Sequence, residues 1–126
     1  MTSEVLYILM RTDLASLNPG KAVAQGAHAA HLFVEAMGCS HPRIAAWEGA
    51  DRGFGTVVTL GVTEQELDRV IDHAGAAGFA ADYVKDPTYP LRDGATTHLI
   101  PLTTCGYVFG DTLELFSILG HLELMP

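Results

Sequence analysis

Hydrophobic and polar residues alternate along this chain in blocks that predict strands and helices in turn. Residues 5–10 are continuously apolar and are followed by charged residues, a pattern typical of a buried strand, here predicted over 5–11. Residues 19–37 then repeat their apolar positions every three or four residues, which predicts an amphipathic helix. Asn18 is a suitable N-cap for this helix. Pro19 suits its first turn, because the N–H that proline lacks would have no partner there.

The helix predicted over 19–37 has an apolar side and a polar side. At about 100° per residue, the side predicted to pack on the core carries Val23, Ala27, Ala30, Val34 and Met37. The side predicted to be polar carries Lys21, Gln25, His28 and Glu35. Lys21 lies in the first turn, where the helix dipole disfavours a cation by up to about 1 kcal/mol. A lysine at this position can instead join the free helix N–H groups in binding an anion.

The rest of the chain continues the alternation of strands and helices. A capping box formed by Thr63 and Glu66, with a stop at Gly78, predicts a helix over 64–77. Residues 86–95 hold two prolines and a glycine and are predicted to form a turn-rich crossing or a lid. The other predicted elements are a short helix over 42–49, strands over 55–62, 80–85 and 96–102, a helix over 111–119 and an extended segment over 121–125. Together they predict one α/β domain over 1–126, with a mixed sheet and helices on both faces.

Composition limits the class of protein. The chain has 126 residues, of which 48% are hydrophobic, enough for one domain with its own core. No apolar run reaches the roughly 18 residues of a spanning helix, and the N-terminus lacks the basic region of a secretory signal. A soluble, cytoplasmic protein without a membrane partner is therefore expected. Cys39 and Cys105 are too few for a disulfide framework and are predicted to be reduced thiols.

The charge balance argues against a broad nucleic-acid surface. Fifteen acidic residues oppose seven basic ones, so the formal net charge is −8, whereas phosphate binding normally relies on a basic patch. Four cations nevertheless flank predicted strand ends or lie in adjoining segments: Arg11, Lys21, Lys85 and Arg92. Gathered at one edge of the sheet, they could bind the end of a nucleic acid weakly and in a salt-sensitive manner.

The motifs of several common chemistries are missing from the sequence. Six histidines are present, but their spacing matches no H-E-x-x-H, C-x-x-C or similar metal motif. The chain also lacks a G-x-S-x-G serine, a Walker lysine and the Rossmann glycines. Arg11 and Asp13, in contrast, stand at the predicted carboxyl end of the first strand, where open α/β sheets usually bind ligands. A site without a metal or organic cofactor is therefore expected at this edge.

Two motifs near the N-terminus resemble one family. R-T-D-L over 11–14 and G-K-x-x-A-Q-x-x-H-A over 20–29 resemble the type 2 peptidyl-tRNA hydrolases. The resemblance runs across most of the chain, since Ala46-Trp47-Glu48 precedes the second strand as in the family and G-H-L-E-L over 120–124 is similar to its closing segment. Asp86 matches an aspartate that ends the third strand in that family.

The chain departs from the family around the same positions. The small-residue, Arg and Thr segment that follows the family aspartate is replaced by the sequence of residues 87–94, in which Thr88 stands in for the family threonine at an altered spacing. Gly26-Ala27 replaces a Cys-Ser or Cys-Ala pair before the helix histidine. No side-chain hydroxyl is therefore expected from that turn of the helix.

The resemblance implies hydrolysis of the ester that joins a peptide, or an N-blocked amino acid, to the 3′ end of tRNA. It implies that Asp86 orients or deprotonates a water molecule, that Lys21 stabilises an oxyanion or holds a phosphate, and that His28 is a third catalytic candidate. Substrate contacts are implied for Arg11, Asp13, Gln25, Thr88 and Arg92. The side chains of Lys21 and Asp86 are expected to approach within a few ångströms, at the carboxyl edge of the sheet.

Two other readings remain open at this point. The chain could be a non-catalytic member of the same fold that binds a nucleotide, a small acid or a protein partner in the same cleft, which would suit its acidic balance. It could also be a homo-oligomeric module, such as a homodimer, in which Tyr107-Val108-Phe109 and the helix with Leu113, Leu115, Phe116 and Leu119 supply an interface.

Overall fold

The computed structural model describes residues 4–49 and 53–126, which form a five-stranded mixed sheet and four helices. The elements in chain order are β1 (Glu4–Arg11), α1 (Pro19–Met37), α2 (Pro42–Gly49), β2 (Val57–Val62), α3 (Glu64–Ala76), β3 (Ala80–Asp93), β4 (Thr96–Asp111), α4 (Thr112–Leu119) and β5 (Glu123–Leu124). The strands lie in the order β3-β4-β1-β2-β5. β1 and β2 run parallel, and the other neighbouring strands run antiparallel.

The sheet has a hydrophobic cluster on each face. Because successive side chains of a strand point to opposite faces, Leu6 and Ile8 of β1 join Phe33 of α1 on one face, together with two residues of α2. Leu9 joins Leu67 of α3 and residues of α4 on the other face. The predicted α/β class, with helices on both faces of a mixed sheet, is therefore confirmed.

Helix α1 has the predicted bounds but only part of the predicted core face. The side chain of Asn18 accepts a hydrogen bond from the Lys21 N–H at 2.9 Å, as expected of an N-cap. Of the predicted core positions, Ala30, Val34 and Met37 pack on the core, whereas Val23 and Ala27 are exposed. The buried positions of the helix are Gln25, Ala29 and Phe33. Gln25 was placed on the wrong side because it is buried by polar partners on other elements, which a helical period cannot show.

The segment over 86–95 is part of a long hairpin, so the predicted crossing or lid was wrong. β3 continues to Asp93, and Gly94, with φ at +60°, begins a two-residue loop to β4. A positive φ at the first loop position suits glycine. Pro87 and Pro90 are tolerated because β3 is an edge strand. β4 pairs with β1 only from Cys105 onward, so residues 87–102 project beyond β1 as a two-stranded arm, here called the β-arm.

The second half of β4, residues 103–111, was missed as a strand. Gly106 and Gly110 interrupt its hydrophobic pattern, but a Cβ on Gly106 would lie 2.8 Å from the Asp82 carbonyl oxygen, and one on Gly110 would lie 2.8 Å from the Phe79 ring. Glycine is needed for this close packing. Tyr107, Val108 and Phe109 are all buried in the core, so they supply no interface. On α4, Leu115 and Leu119 are buried, whereas Leu113 and Phe116 are exposed.

The remaining bounds differ only slightly from the predictions. β2 begins at Val57 and not at residue 55, since Gly55 has φ at +74° and a Cβ there would lie 2.2 Å from the Trp47 ring. The extended segment over 121–125 contains the short edge strand β5. Within the described residues, no helix is both long enough and apolar enough to cross a membrane. Residues 1–3 and 50–52 of the predicted domain lie outside the described part.

Candidate functional site

Asp86 lies at the base of the β-arm, between two irregularities in the pairing of β3 with β4. Val84 pairs with Cys105 but Lys85 pairs with Thr103, so Thr104 is an extra residue on β4. The second irregularity follows Asp86 on β3. Extra residues of this kind redirect side chains that would otherwise alternate between faces. The local geometry of the site therefore depends on the strand pairing and not on a loop.

A chain of hydrogen bonds joins α1 to both strands. The Thr104 hydroxyl donates to Gln25 Oε1 at 2.7 Å, and Gln25 Nε2 donates to Asp86 Oδ2 at 2.7 Å. Asp86 Oδ1 accepts the Thr88 N–H at 2.9 Å and lies 3.4 Å from the Thr88 hydroxyl. Each end of the Gln25 amide thus has one fixed partner, so the amide presents a donor to the carboxylate.

The Asp86 carboxyl is 9% exposed and is held ionised. Burial alone would raise its pKa, but the hydrogen bonds from Gln25 and from the Thr88 backbone, with a further contribution from His28, hold the pKa below its ordinary value. At neutral pH the group is therefore a carboxylate that accepts hydrogen bonds. Such a group is suited to orienting a water molecule.

Acid should remove the stabilisation that Asp86 provides. Because its pKa is lower in the folded than in the unfolded chain, ionised Asp86 stabilises the fold above the unfolded value of about 3.9. That contribution is lost as pH falls through the folded pKa. We expect the difference in melting temperature between the parent and Asp86→Asn to be largest near pH 7 and to shrink below about pH 4. A difference that stayed constant from pH 7 to pH 3 would contradict the lowered pKa.

Thr104 should act on the site through the orientation of Gln25. Thr104→Val keeps the shape of the side chain but leaves Gln25 Oε1 without its donor, which should cost about 1–3 kcal/mol of stability. The Gln25 amide is then fixed only by Asp86 and holds the carboxylate less rigidly, so we expect any activity of the site to fall about tenfold, as for other supporting hydrogen bonds. The control is Thr104→Ser, which keeps the hydroxyl and should keep the activity. Equal activity of the two variants would contradict this role.

Lys21 binds the β-arm next to the carboxylate. Its Nζ donates to the Pro90 carbonyl oxygen at 2.8 Å and lies 5.0 Å from the centroid of the Tyr89 ring. Tyr89 is fully buried, and its hydroxyl is 3.0 Å from Ser16 Oγ. Among the described residues, Lys21 forms no ion pair with Asp86, although both face the junction of α1 and β3. An ammonium has three N–H donors, so two remain for a ligand.

A cleft of about 390 Å³ opens beside Asp86 between α1 and β3. It is lined by His28, Leu32, Val84, Lys85, Asp86, Pro87 and Thr88. His28 follows Gln25 by one turn of α1 and is close enough for its charge to lower the pKa of Asp86. The structure thus brings His28, Gln25, Asp86 and Thr88 together around one cleft, with Lys21 one turn before Gln25.

Arg11 and Asp13 lie apart from this cleft in an ion-pair network of their own. Arg11 is only 7% exposed, and its guanidinium binds Asp13 Oδ1 at 2.9 Å, the Thr103 carbonyl oxygen at 3.0 Å and Glu64 Oε2 at 3.3 Å. The hydrogen bond from Arg11 holds the pKa of Asp13 below its usual value, against the effect of burial. Three of the five N–H donors of Arg11 have protein partners, and the bond to Thr103 fixes the backbone beside Thr104.

Arg92 and Lys85 are exposed, and Arg92 is remote from the carboxylate. Arg92 lies six residues beyond Asp86 on the β-arm, a distance of about 20 Å at 3.3 Å per strand residue. Its Nε donates to the Gly94 carbonyl oxygen at 3.2 Å. A ligand that reached both residues would have to extend along the β-arm.

Two contributors to the site were missed in the sequence. Thr104 stands in the polar start of a run that was assigned to no element, and Tyr89 lies in what was expected to be a loop. The only signal for either was residue type: a threonine before a buried strand, and an aromatic residue between two prolines.

Within the described residues, no three His, Cys, Asp or Glu side chains converge in a way that could bind a metal ion. Burial raises the pKa of the Cys105 thiol to about 11, so it stays protonated.

Comparison with known proteins supports both the fold and the family. The chain is similar to a solved structure of a protein of unknown function from Agrobacterium tumefaciens strain C58, with 13% identity, full coverage of both chains and a TM-score of 0.57. At that identity the likeness shows the fold alone. No match was found among curated proteins. The family described as peptidyl-tRNA hydrolase PTH2 matches residues 4–125. The chain therefore belongs to the peptidyl-tRNA hydrolase PTH2 family.

Proposed function

We propose that this protein hydrolyses the ester bond between a peptide, or an N-blocked amino acid, and the 3′ end of tRNA. The observation that carries the proposal is the buried Asp86 carboxylate, which Gln25 and Thr88 hold beside an open cleft. Peptidyl-tRNA hydrolase activity is the activity of the family to which the chain belongs. Since such a substrate arises in translation, the proposed place of action is the cytoplasm.

Asp86 acts on the attacking water. Its two oxygens offer about four acceptor sites, of which Gln25 and Thr88 occupy some and leave at least one for a water molecule. The lowered pKa makes Asp86 a weak base, so its main task is to orient the water and to accept its proton as the new bond forms. The water oxygen then bonds to the carbonyl carbon of the ester.

Lys21 and His28 act on the charges that develop in this step. The carbonyl oxygen becomes an oxyanion, which a preorganised cation stabilises strongly away from bulk water. Lys21 has two N–H groups left, because the Pro90 carbonyl holds the third. One of them can serve the oxyanion and the other a phosphate of the tRNA end. When the bond to the tRNA 3′ oxygen breaks, that oxygen must gain a proton, and His28 at the cleft wall is placed to deliver it. No step requires a cofactor.

Binding of tRNA depends on few charges. Arg11 is paired with Asp13 and Glu64, so of the four expected cations, Lys21, Lys85 and Arg92 remain for phosphates. The acidic helix α3 packs on the opposite face of the sheet from α1. Attraction to tRNA is thus local and weak, in keeping with a net charge of −8.

The salt dependence of tRNA binding should reflect these three cations. At about 0.7 per neutralised phosphate on a single strand, the slope of log affinity against log salt should be about −2. Arg92→Ala should make the slope shallower by about 0.7 if Arg92 contacts a phosphate. Titration of labelled tRNA at several salt concentrations measures both values. A slope steeper than about −5 would require cations that the site does not offer.

The activity itself is tested with N-acetyl-aminoacyl-tRNA and purified protein. We expect repeated turnover to free tRNA and N-acetyl amino acid, at the same rate in the presence of a metal chelator. The non-catalytic reading predicts binding without release. Failure of the parent protein to release tRNA at any concentration would contradict the proposed function.

A further inference from the structure

We infer that the end of the cleft beside Leu32 binds the side chain of the amino acid that is esterified to tRNA, and that it favours apolar side chains. This inference rests on the proposed hydrolase activity. It further specifies the direction in which the substrate lies in the cleft. The nucleotide side of the ester would lie toward Lys21, and the acyl side toward Leu32.

Polarity falls along the cleft side of α1. The side chains that face β3 are, in order, Lys21, Gln25, His28 and Leu32. Lys21 contacts the β-arm, Gln25 holds Asp86, and His28 and Leu32 line the cleft. At 1.5 Å per residue this stripe spans about 16 Å. It begins with a cation and ends with an alkyl group.

The same gradient occurs on the facing strand. At the apolar end, Val84 is buried and Leu32 is half-buried, and both line the cleft. Lys85 also lines this end, but its side chain is exposed and adds charge only at the rim. At the other end, the Pro90 carbonyl oxygen fixes the ammonium of Lys21.

An ester held at Asp86 has two unlike flanks. One is a nucleoside with a phosphodiester, which an ammonium stabilises. The other is an acyl group, whose side chain gains about 0.8 kcal/mol for each buried CH₂. Only one of the two orientations places the anion at Lys21 and the apolar group between Leu32 and Val84. The opposite orientation would put the phosphate against an alkyl wall.

The lining also argues against a base at the Leu32 end. Sites for unstacked bases usually offer aromatic rings or arginine planes, and apart from the His28 imidazole the cleft lining offers neither. A volume of about 390 Å³ is near the lower limit of small-molecule sites. It suits the reacting ester with one amino acid side chain, and it leaves no room for a nucleoside at the same end.

The test uses one tRNA charged with either N-acetyl-leucine or N-acetyl-glycine. The parent should prefer the leucyl ester in kcat/KM by about tenfold or more. Leu32→Trp fills the apolar end, so it should lower kcat/KM for the leucyl ester at least tenfold and for the glycyl ester less than threefold. Leu32→Asn replaces the alkyl surface with an amide and should bring the ratio of the two esters close to 1.

The ratio of the two rates in one preparation does not depend on the fraction of folded protein. Val23→Asn, on an exposed part of α1, is the matched control and should leave the ratio unchanged. If the parent cleaves neither ester, the proposed function fails and the inference with it. If the parent cleaves both equally well, only the inference is overturned. Leu32→Trp slowing both esters equally would also overturn it.

Discussion

Asp86→Asn should abolish most of the hydrolysis while tRNA still binds. Asparagine keeps the size of the side chain but cannot accept a proton from water, and loss of such a group typically lowers kcat by about 10²–10⁴. Affinity for tRNA should stay within about threefold, since Asp86 touches only the reacting water in the proposed mechanism. Single-turnover hydrolysis and a binding titration of the same sample measure the two quantities.

The matched control for this variant is Asp82→Asn. Asp82 is an exposed aspartate on the same strand, four residues earlier, and its carboxylate accepts only a neighbouring backbone N–H within the described structure. The control removes the same charge and should hydrolyse at the parent rate. Full activity of Asp86→Asn, or a loss of tRNA binding large enough to explain its lost activity, would remove Asp86 from the proposed role.

Lys21→Met should lower the hydrolysis rate strongly but change the free energy of unfolding only slightly. Methionine keeps an unbranched side chain beside Tyr89 but removes the charge and the donor to Pro90. Loss of an oxyanion donor typically lowers kcat by about 10²–10³. The free energy of unfolding should change by less than about 1 kcal/mol, because the lost hydrogen bond is offset in part by relief of the unfavourable helix dipole.

Hydrolysis and thermal unfolding of Lys21→Met are compared with Arg69→Met, which removes an exposed cation from α3. The control should keep its activity, so that the effect of Lys21 cannot be ascribed to net charge. A Lys21→Met variant that melted far below the parent would show a structural role instead. One that hydrolysed at the parent rate would exclude Lys21 from the chemistry.

The ends of α1 were predictable from the sequence, but the orientation of its faces was not. Asn18 and Pro19 act within one turn of the helix, so local sequence is enough to place its start. The burial of Gln25 depends on Asp86 and Thr104, which lie 61 and 79 residues further along the chain. Only the sheet brings these three residues together. A helical period therefore placed Gln25 on the wrong side.

The β-arm was unpredictable for a similar reason. Pro87, Pro90 and Gly94 are turn residues by local preference, and only the position of β3 at the edge of the sheet makes the two prolines acceptable in a strand. The bulge that redirects Thr104 is a property of the pairing between two strands. Asp86 was singled out by its match to the family aspartate, but the strand that was expected to end just before it continues through it to Asp93.

Arg11 illustrates how the sequence can locate a residue without showing its contacts within the protein. The sequence placed it at the carboxyl end of β1, which is where it lies. Its availability to a ligand depends on Glu64 and Thr103, which come from α3 and β4. Through these contacts Arg11 holds the backbone beside the site. This role could not be predicted from the sequence, because the partners come from distant segments of the chain.

The central claim, that Asp86 acts on a water molecule that cleaves the ester, is tested most directly by isotope transfer. N-acetyl-aminoacyl-tRNA is mixed with an excess of protein in H₂¹⁸O for a single turnover, and the released N-acetyl amino acid is analysed by mass spectrometry. We expect the new carboxyl group to carry one oxygen from the solvent. A released acid without ¹⁸O would mean that solvent water does not attack the acyl carbon, either because the bond between the ribose carbon and oxygen breaks or because a protein carboxylate oxygen is transferred. An intact ester would mean that no hydrolysis takes place, and either result would contradict the proposed role of Asp86.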